Sequence, residues 1–330
     1  MVISIAFGAV SIKPIEMYQA LIHFFKGEKN ASIYEGVFLQ LRLPRVLLCG
    51  ITGAILAVSG VLMQGLFRNP IVEPGLAGTS AGAAFGASIV FVLSSAMSPE
   101  IKGLVGPFLV PLFAFAGGML ATFTVYGLAK DGKNMPIVSV LLVGMAITAV
   151  GISGTGFMSY LARDPQARSI TFWNLGTFSG ASWIQVFIVT ITGCVVFLFS
   201  FRYAKHLNAL LLGEEEATYL GVETLKTKRN LLILNTLMVS VATAFVGVIS
   251  FIGLIVPHIL RSLIGSDNKL ILPAAAFSGA ILLLIADLGA RLLLTPAEIP
   301  IGIITSLVGA PIFIFLLKKN NLIGKIERNA

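Results

Sequence analysis

Long apolar segments alternate with short polar gaps along the whole chain. An α-helix needs about 20 apolar residues to cross the hydrocarbon core of a membrane, and most of the segments have about that length. The pattern predicts ten spanning helices: a half-length segment at residues 1–12, then 46–67, 76–97, 104–129, 137–161, 183–201, 230–249, 250–265, 271–294 and 301–317. We therefore expect an all-α polytopic membrane protein, with a shortened first helix and a single transmembrane domain over residues 1–330.

Proline and glycine mark the places where helices should break. The sequence RNPIVEPG at residues 68–75 follows the second span and prevents a continuous helix into the third. The seventh and eighth spans are almost fused, and Pro257 and His258 lie in apolar sequence of the eighth, which predicts a broken or tilted segment. We expect His258 to be a hydrogen-bonded structural residue.

The third span carries three small residues at four-residue spacing, Gly78, Gly82 and Gly86. This spacing places them on one helix face, where small residues let two helix backbones approach closely in lipid. We therefore expect an interior helix that packs through these positions.

The composition excludes a water-soluble fold. Charged residues make up 12% of the 330 residues, whereas soluble domains carry about 25%, and the mean hydropathy is +0.94. The ten spans leave no room for a large soluble domain, so any catalytic or energy-supplying domain must belong to another chain. The net charge of +8 is spread over short gaps between apolar segments, which indicates membrane topology and not a nucleic-acid partner.

Lysine and arginine are concentrated on one side of the predicted bundle. With both termini placed inside, 14 of the 23 lie inside and 9 outside, and five of those nine belong to the connection at 13–45. Positive charge is typical of cytoplasmic loops. We therefore expect cytoplasmic termini, a periplasmic connection at 13–45 that includes amphipathic sequence, and a cytoplasmic loop at 202–229.

That cytoplasmic loop contains a short helix-forming block, EEEATYL, between Gly213 and Gly221. Its acidic first turn is favourable at the positive start of a helix. The block could dock into a groove of a partner, or it could be an ordinary interfacial loop, and the residues alone leave both open. Long loops in compact proteins are more often functional.

Several arginines are predicted near the outer face. They could receive carboxylates of a docking protein through charge-assisted hydrogen bonds, or they could extend to lipid headgroups. Asp287 lies four residues before one of them and could instead form an ion pair along the helix. These arginines are Arg42, Arg45, Arg163, Arg168 and Arg291.

No catalytic motif is evident in the sequence. Residues 127–134, GLAKDGKN, match a phosphate-binding loop, but Asn134 replaces the Ser or Thr that binds magnesium, and the loop follows an apolar helix instead of a strand. Cys49 and Cys194 are isolated in apolar segments and predict neither a disulfide nor a zinc site. We expect no cofactor or metal on this chain, and any ATP-driven work would need a separate ATPase chain that binds ATP and magnesium.

Three sequence blocks resemble a known family. Residues 41–83, 251–261 and 297–317 are similar to the signature blocks of the FecCD-type permeases, the membrane subunits of bacterial ATP-binding-cassette (ABC) importers for siderophores, haem and cobalamin. The similarity extends in order from about residue 40 to 319. It implies the type II importer fold of the cobalamin permeases, with ten helices per subunit, a homodimer and a translocation pathway between the subunits.

The resemblance also implies partners and site residues. Each permease of this family binds one cytoplasmic ATPase subunit, so a homodimer binds two, and a periplasmic or lipid-anchored substrate-binding protein docks on the opposite face. Arg42, Arg45 and Arg291 match positions that present arginines to glutamates of that binding protein. Residues 213–223, GEEEATYLGVE, match the family's ATPase-coupling segment. The positions singled out within it are Gly213, Glu214, Glu215, Glu216, Ala217, Leu220 and Gly221.

The substrate follows less directly from the resemblance. Ile137 and Val138 stand where cobalamin permeases carry small polar gate residues, which disfavours cobalamin as the substrate. Residues 168–183 are similar to haem and siderophore permeases, and Arg168 lies where some haem permeases have an arginine that can meet a propionate. We expect an iron chelate, moved across a bacterial inner membrane by alternating access, with a cobalamin importer as the alternative.

A lone carrier or an intramembrane enzyme is the contrasting class. Ion-coupled carriers usually place several acidic residues near the bilayer midplane, whereas Asp287 is almost the only candidate here. An intramembrane hydrolase would need a nucleophile with a base, or a metal set, at matched depth, and the sequence shows neither. Both are therefore less favoured than the importer.

Overall fold

A computed structural model describes residues 1–7, 12–26, 33–94, 99–130, 132, 135–295 and 297–319. Over these residues the protein is helical and contains no strand. The helices are α1 Val2–Ala6, α2 Pro14–Lys26, α3 Ile33–Gly36, α4 Leu43–Phe67, α5 Thr79–Leu93, α6 Pro99–Ala129, α7 Ile137–Leu161, α8 Asp164–Asn174, α9 Trp183–Arg202, α10 Ala204–Leu212, α11 Glu214–Tyr219, α12 Thr224–Val246, α13 Ile252–Ile264, α14 Asn268–Leu292 and α15 Ile301–Lys319.

The predicted all-α polytopic class is confirmed. Among the described residues, six helices are long and apolar enough to cross a membrane: Ile33–Phe67, Gly106–Ala129, Ile137–Leu161, Trp183–Arg202, Thr224–Val246 and Asn268–Leu292. The shorter apolar helices Thr79–Leu93, Ile252–Ile264 and Ile301–Leu316 occupy three further predicted spans. The first predicted span contains α1, and its residues 8–11 lie outside the described residues, as do residues 95–97 of the third.

Helix α4 is longer than its apolar sequence indicates. α3, a π-helical turn and α4 together form one continuous helix from Ile33 to Phe67. Residues 33–45, assigned from sequence to the periplasmic connection, are therefore helical. A π-helical turn at Val37–Arg42 joins α3 to α4. Proline normally disrupts a helix by removing a donor and by clashing with the preceding turn. The wider π turn just before Pro44 accommodates the ring.

Helix α4 is also the centre of the bundle. In the most apolar 18-residue stretch of the helix Ile33–Phe67, 83% is buried. Helices α9, α12, α13 and α14 pack around α4. At Gly60 a Cβ atom would lie 1.8 Å from the carbonyl oxygen of Gly253, so α4 and α13 are in backbone contact. The second predicted span is therefore an interior helix.

Helix α5 packs between α6 and α7. A Cβ atom at Gly82 would lie 2.4 Å from the carbonyl oxygen of Gly117, and one at Gly86 would lie 2.1 Å from that of Phe113. Gly78 differs, because its φ of +80° is the left-handed turn from which α5 begins. Two of the three glycines thus bring α5 into backbone contact with α6, and the third starts the helix.

Two helix breaks meet inside the bundle. Helix α4 ends at Arg68, which has a left-handed φ of 50°, and the chain returns to α5 through a 3₁₀ turn at Pro74–Ala77. The second break separates α12 from α13 and ends at Phe251, with φ 71°. The carboxylate of Glu73 accepts a 3.1 Å hydrogen bond from the Phe251 backbone N–H. The break therefore precedes α13 and leaves Pro257 inside that helix.

Candidate functional site

The candidate functional residues lie at opposite ends of the bundle. Helix α4 has 25 residues, which at 1.5 Å per residue is a length of about 37 Å. Arg45, in its first turn, contacts Asp287 near the end of α14. Arg68, just beyond its last turn, contacts Glu214 at 3.6 Å. We call the first the arginine end and the second the loop end.

The arginine end is organised by a buried carboxylate. We define the arginine cluster as Arg42, Arg45, Asp287, Arg291 and Glu298. Asp287 is 1% exposed, and its Oδ1 accepts hydrogen bonds from Nε and Nη2 of Arg45 at 3.1 and 2.9 Å. Its Oδ2 accepts a 3.0 Å bond from Nε of Arg291. The ion pair between Asp287 and Arg291 along α14, one of the possibilities inferred from the sequence, is therefore present.

Two of the arginines bind the end of α1. Arg42 donates to the carbonyl oxygens of residues 5 and 6, and Arg291 donates to those of Ser4 at 2.8 Å and Phe7 at 3.0 Å. The last carbonyls of a helix lack intrahelical partners and carry the negative end of its dipole. Arg42 and Arg291 are consequently buried, with 8% and 7% exposure.

Glu298 forms the outer edge of the arginine cluster. Nη1 of Arg45 lies 2.8 Å from both carboxylate oxygens of Glu298, whose side chain is 42% exposed. Arg45, one of the three arginines assigned to docking, is thus bonded to an exposed side chain. Sequence reasoning missed Glu298, although it is an acid in the block at 297–317. The docking role of the three arginines stays a prediction.

At the loop end, Glu214 anchors residues 213–221, which form most of the predicted coupling stretch 213–223. The buried ammonium group of Lys228 on α12 donates to the Glu214 carboxylate and, at 3.1 Å, to the carbonyl oxygen of Met135. Arg68 approaches the same carboxylate. Glu214 therefore fixes α11 against the ends of α4 and α12, which is an internal contact.

Positive φ angles set the limits of this segment. Gly213 has φ 144° and Gly221 has φ 83°, both in the region that favours glycine. A Cβ atom at Gly213 would also lie 1.7 Å from a carboxylate oxygen of Glu216. Helix α11 accordingly lies between the two glycines that bracket the block in the sequence.

The rest of the segment faces outward. Ala217 is fully buried, whereas Glu215 and Glu216 are exposed. Tyr219 is 89% exposed and Leu220 is 64% exposed. Exposed large apolar side chains beside charges are typical of a surface that meets a partner. Tyr219 lies within the predicted coupling stretch 213–223 but was not singled out there, although its aromatic side chain was an available signal.

Arg168, assigned to a substrate pathway, lies on the outside of α8. Its guanidinium carbon is 5.4 Å from the ring centroid of Phe172, one turn later, which is a cation–π contact. It does not belong to the arginine cluster. The pathway role of Arg168 stays a prediction.

A cavity of about 370 Å³, with several polar side chains in a mainly apolar lining, lies where the two helix breaks meet. Oγ1 of Thr148, which lines it, is buried without a hydrogen-bond partner among the described residues. Polar side chains inside a membrane bundle are typical of substrate or ion pathways. Sequence reasoning missed this cavity because its polar lining comes from separate segments, namely Glu73, Ser80, Thr148, Asn174, Thr243 and Ser250.

The part of the chain that the structure describes holds no group of three or more His, Cys, Asp or Glu side chains able to bind a metal ion. Cys49 is buried and Cys194 is exposed, and both thiols are free. In the near match to a phosphate loop at 127–134, residues 131, 133 and 134 lie outside the described residues.

Comparison with known proteins points to one family. The FecCD transport family matches residues 1–319. The hemin transport system permease protein HmuU of Yersinia pestis is 40% identical over 284 residues, which is 85% of this chain and 83% of that protein. The cobalamin import system permease protein BtuC of Halobacterium salinarum is also 40% identical, over 84% of this chain and 72% of that protein.

A solved structure supports the same assignment. An inward-facing conformation of a metal-chelate type ABC transporter is similar to this chain with a TM-score of 0.83 and 29% sequence identity, covering 96% of this chain and 94% of that one. The resemblance inferred from three sequence blocks is therefore confirmed. The chain belongs to the FecCD transport family, and it is a multi-pass membrane permease.

Proposed function

We propose that this chain is the permease subunit of an ABC importer that carries an iron chelate, a ferric siderophore or haem, into a bacterial cell. The observation that carries the proposal is the pair of chemically different ends that one central helix joins. A partner at the arginine end and a partner at the loop end could both shift the equilibrium between two conformations of the same helix bundle. Such coupling through packed helices is how transporters exchange two cavity states.

The loop end suits an ATPase subunit. Tyr219 and Leu220 are exposed apolar side chains on a helix that Glu214 anchors internally, so force on α11 is transmitted to α12 and α4. On this proposal each permease binds one ATPase subunit on the cytoplasmic side, where both termini also lie. ATP and magnesium are bound by that subunit, and this chain has no catalytic role and no cofactor.

The arginine end suits an acidic face of a periplasmic or lipid-anchored substrate-binding protein. Arg45 already binds the exposed carboxylate of Glu298, so its guanidinium is oriented to bind a carboxylate of a partner. Removal of Arg42, Arg45 and Arg291 together should abolish uptake. Arg42 and Arg291 are buried and Arg45 is bonded to the buried carboxylate of Asp287, so each of these changes also affects the fold. The unfolding temperature of the variant is therefore measured beside uptake.

The substrate pathway is proposed to lie between two copies of the chain. The interior cavity of about 370 Å³ is at the small end of ligand sites, which span about 300–1,000 Å³, so a bulky chelate needs a wider passage. Helices α7 and α15 present exposed apolar side chains such as Ile152 and Phe315, at 63% and 64% exposure. A homodimer that packs along these helices would open such a passage.

Cobalamin is the alternative substrate. The relative from Halobacterium salinarum favours it, whereas Ile137 and Val138 at the start of α7 disfavour it. An ATP-independent carrier is the contrasting mechanism. It would predict transport without an ATPase subunit.

Reconstitution with the cognate ATPase and binding protein tests these proposals. We expect ATP hydrolysis to rise when the binding protein is loaded with one iron chelate and not when it is loaded with cobalamin. Stimulation of ATP hydrolysis by cobalamin alone would identify cobalamin as the substrate instead of an iron chelate. Substrate uptake by vesicles that contain this chain alone would overturn the importer proposal.

A further inference from the structure

A second cavity, of about 550 Å³, lies at the loop end. It is bordered by the end of α9, the start of α10, the first turns of α12 and the start of α14. Because α9, α12 and α14 are apolar helices long enough to cross a membrane, their ends lie at the membrane boundary. The cavity therefore sits at the level of lipid headgroups.

The cavity has an excess of positive charge. The basic side chains that line it are Arg202, Lys205, Lys226 and Lys269. Glu223 is the acidic residue in the lining, and it pairs with Lys226 at 3.6 Å. Asp267, close by, is occupied by the Asn208 side-chain amide at 2.7 Å and by the backbone N–H of Lys269 at 3.0 Å, which hold the pKa of its carboxyl below the usual range.

Three of the four basic groups form no close ion pair, although the charge of Lys269 also helps to lower the pKa of the nearby Asp267 carboxyl. Within the described residues, Arg202, Lys205 and Lys269 form no ion pair. His206 also lines the cavity, and its Nδ1 is buried with no hydrogen-bond partner in that part of the chain. Unpaired donors that converge on one cavity fit a ligand with several acceptor oxygens, such as a phosphate group.

An apolar stripe on α9 leads directly to this cavity. Val195, Leu198 and Phe199 are 47%, 67% and 51% exposed. Together with Arg202 they follow the i, i+3, i+4, i+7 spacing of one helix face. Phe201, 46% exposed, lines the cavity itself. A molecule with a phosphate headgroup and long acyl chains would satisfy both the basic cavity and the stripe.

We propose that this cavity binds the headgroup of an anionic phospholipid, whose acyl chains lie along the exposed face of α9. Basic cavities between membrane helices bind anionic headgroups in this way. The exposed side chains of Tyr219 and Leu220 do not line the cavity, whereas Gly221 and Glu223 of the predicted coupling stretch 213–223 do. The lipid site therefore borders the proposed ATPase surface, and it depends only on the placement of the chain in a membrane.

The test compares lipid binding to two triple variants of the full-length chain in detergent. The first, Arg202→Gln, Lys205→Gln and Lys269→Gln, removes the unpaired cavity charges. The control, Lys130→Gln, Arg229→Gln and Lys318→Gln, removes three exposed charges that do not line the cavity. Binding of phosphatidylglycerol, of phosphatidylcholine with the same acyl chains, and of inorganic phosphate is measured by native mass spectrometry and titration.

We expect the wild-type chain and the control to bind phosphatidylglycerol in preference to phosphatidylcholine. Each basic side chain near an anionic headgroup contributes a factor of about five, so the cavity variant should bind phosphatidylglycerol roughly 100-fold more weakly. The single variants Lys205→Gln and Lys269→Gln should each bind phosphatidylglycerol about fivefold more weakly. They replace the triple variant in the test if that variant does not fold.

Three results would overturn the proposal. Equal phosphatidylglycerol binding by the cavity variant and the control would show that the cavity is not the site. Inorganic phosphate that displaces phosphatidylglycerol at equal concentration would make it a soluble-anion site. Loss of bound lipid when the ATPase subunit assembles on the chain would assign the cavity to that subunit.

Discussion

The two ends of the bundle use their charges in opposite ways. At the arginine end, Arg42 and Arg291 are buried and Arg45 is mostly buried, and all three are bonded to Asp287, to Glu298 or to the last carbonyls of α1. At the loop end, Arg202, Lys205 and Lys269 line an open cavity and form no close ion pair among the described residues. The same side-chain chemistry therefore holds the fold together at the arginine end, whereas the loop end has one partly buried pair, Lys228 with Glu214, and also leaves charge free for binding.

The difference follows from what each end must stabilise. A short helix that ends inside the bundle leaves carbonyl oxygens that need hydrogen-bond donors. A buried carbonyl without a donor lowers the stability of the fold, because its lost contact with water is not replaced. Helices that end at the membrane boundary have water and headgroups beside them, so their basic residues need no protein partner. Four substitutions test this difference between the two ends, in order of decreasing expected effect.

Asp287→Asn should cause the largest loss. It leaves Arg45 and Arg291 buried without their shared carboxylate, and removal of one partner of a buried ion pair costs about 3–5 kcal/mol. We expect a clearly lower unfolding temperature in detergent. Glu223→Gln, which removes an exposed carboxylate at the loop end, should change stability by no more than about 0.5 kcal/mol. Similar losses in the two variants would remove the contrast between the ends.

Glu214→Gln should release segment 213–221. The change leaves the buried ammonium of Lys228 without its carboxylate, and hydrogen bonds to charged groups contribute about 1.5–3 kcal/mol. We expect faster backbone hydrogen exchange across the segment. Glu215→Gln, at the exposed neighbour, is the matched control and should leave exchange unchanged. Protection that is equal in both variants would contradict the anchoring role of Glu214.

Tyr219→Ala should weaken the ATPase subunit without affecting the fold. An exposed aromatic residue at the centre of an interface commonly contributes about 2 kcal/mol, which is roughly a 30-fold loss of affinity. The measurement is binding of the ATPase subunit to the detergent-solubilised permease. Tyr160→Ala removes a tyrosine that is 85% exposed on α7 and serves as the control. Unchanged ATPase binding by Tyr219→Ala would place the coupling surface elsewhere.

Glu298→Gln should have the smallest effect, and it should be a gain. Glu298 occupies the outward donors of Arg45, so its neutralisation makes them available to a carboxylate of the binding protein. Because an exposed ion pair contributes about 0–1 kcal/mol, we expect affinity for the binding protein to rise up to about fivefold. Arg45→Gln should lower it, and Asp164→Asn should not change it. Weaker binding by Glu298→Gln would mean that Glu298 itself contacts the partner.

The boundaries of the spans were largely predictable from sequence, and the exceptions have physical reasons. The seven spans from 104–129 to 301–317 were each predicted to within a few residues, and α7 matches at both ends. The sequence around Pro44 was assigned to a connection because charges and a proline interrupt the apolar pattern there. The structure continues the helix through a π turn, and the interrupting charges are bonded internally.

The sites were predictable by residue type more than by role. Arg45 and Glu214 were singled out from sequence, yet neither the bond between Arg45 and Glu298 nor the anchoring of Glu214 by Lys228 could be inferred. Both contacts join segments that are distant in sequence, and a pattern of single residues carries no information about such pairs. The same reason hid the two cavities, whose linings come from several helices each.

By itself the sequence determined the solvent of this protein, its helical class and its family, because apolar length and composition are set residue by residue. Signature blocks are local in the same sense. Which basic side chains form ion pairs or hydrogen bonds inside the fold, and which remain free, became known only from the tertiary structure. The result depends on burial and on the distances between helices, because a guanidinium or ammonium group is bonded only where an acceptor lies within reach.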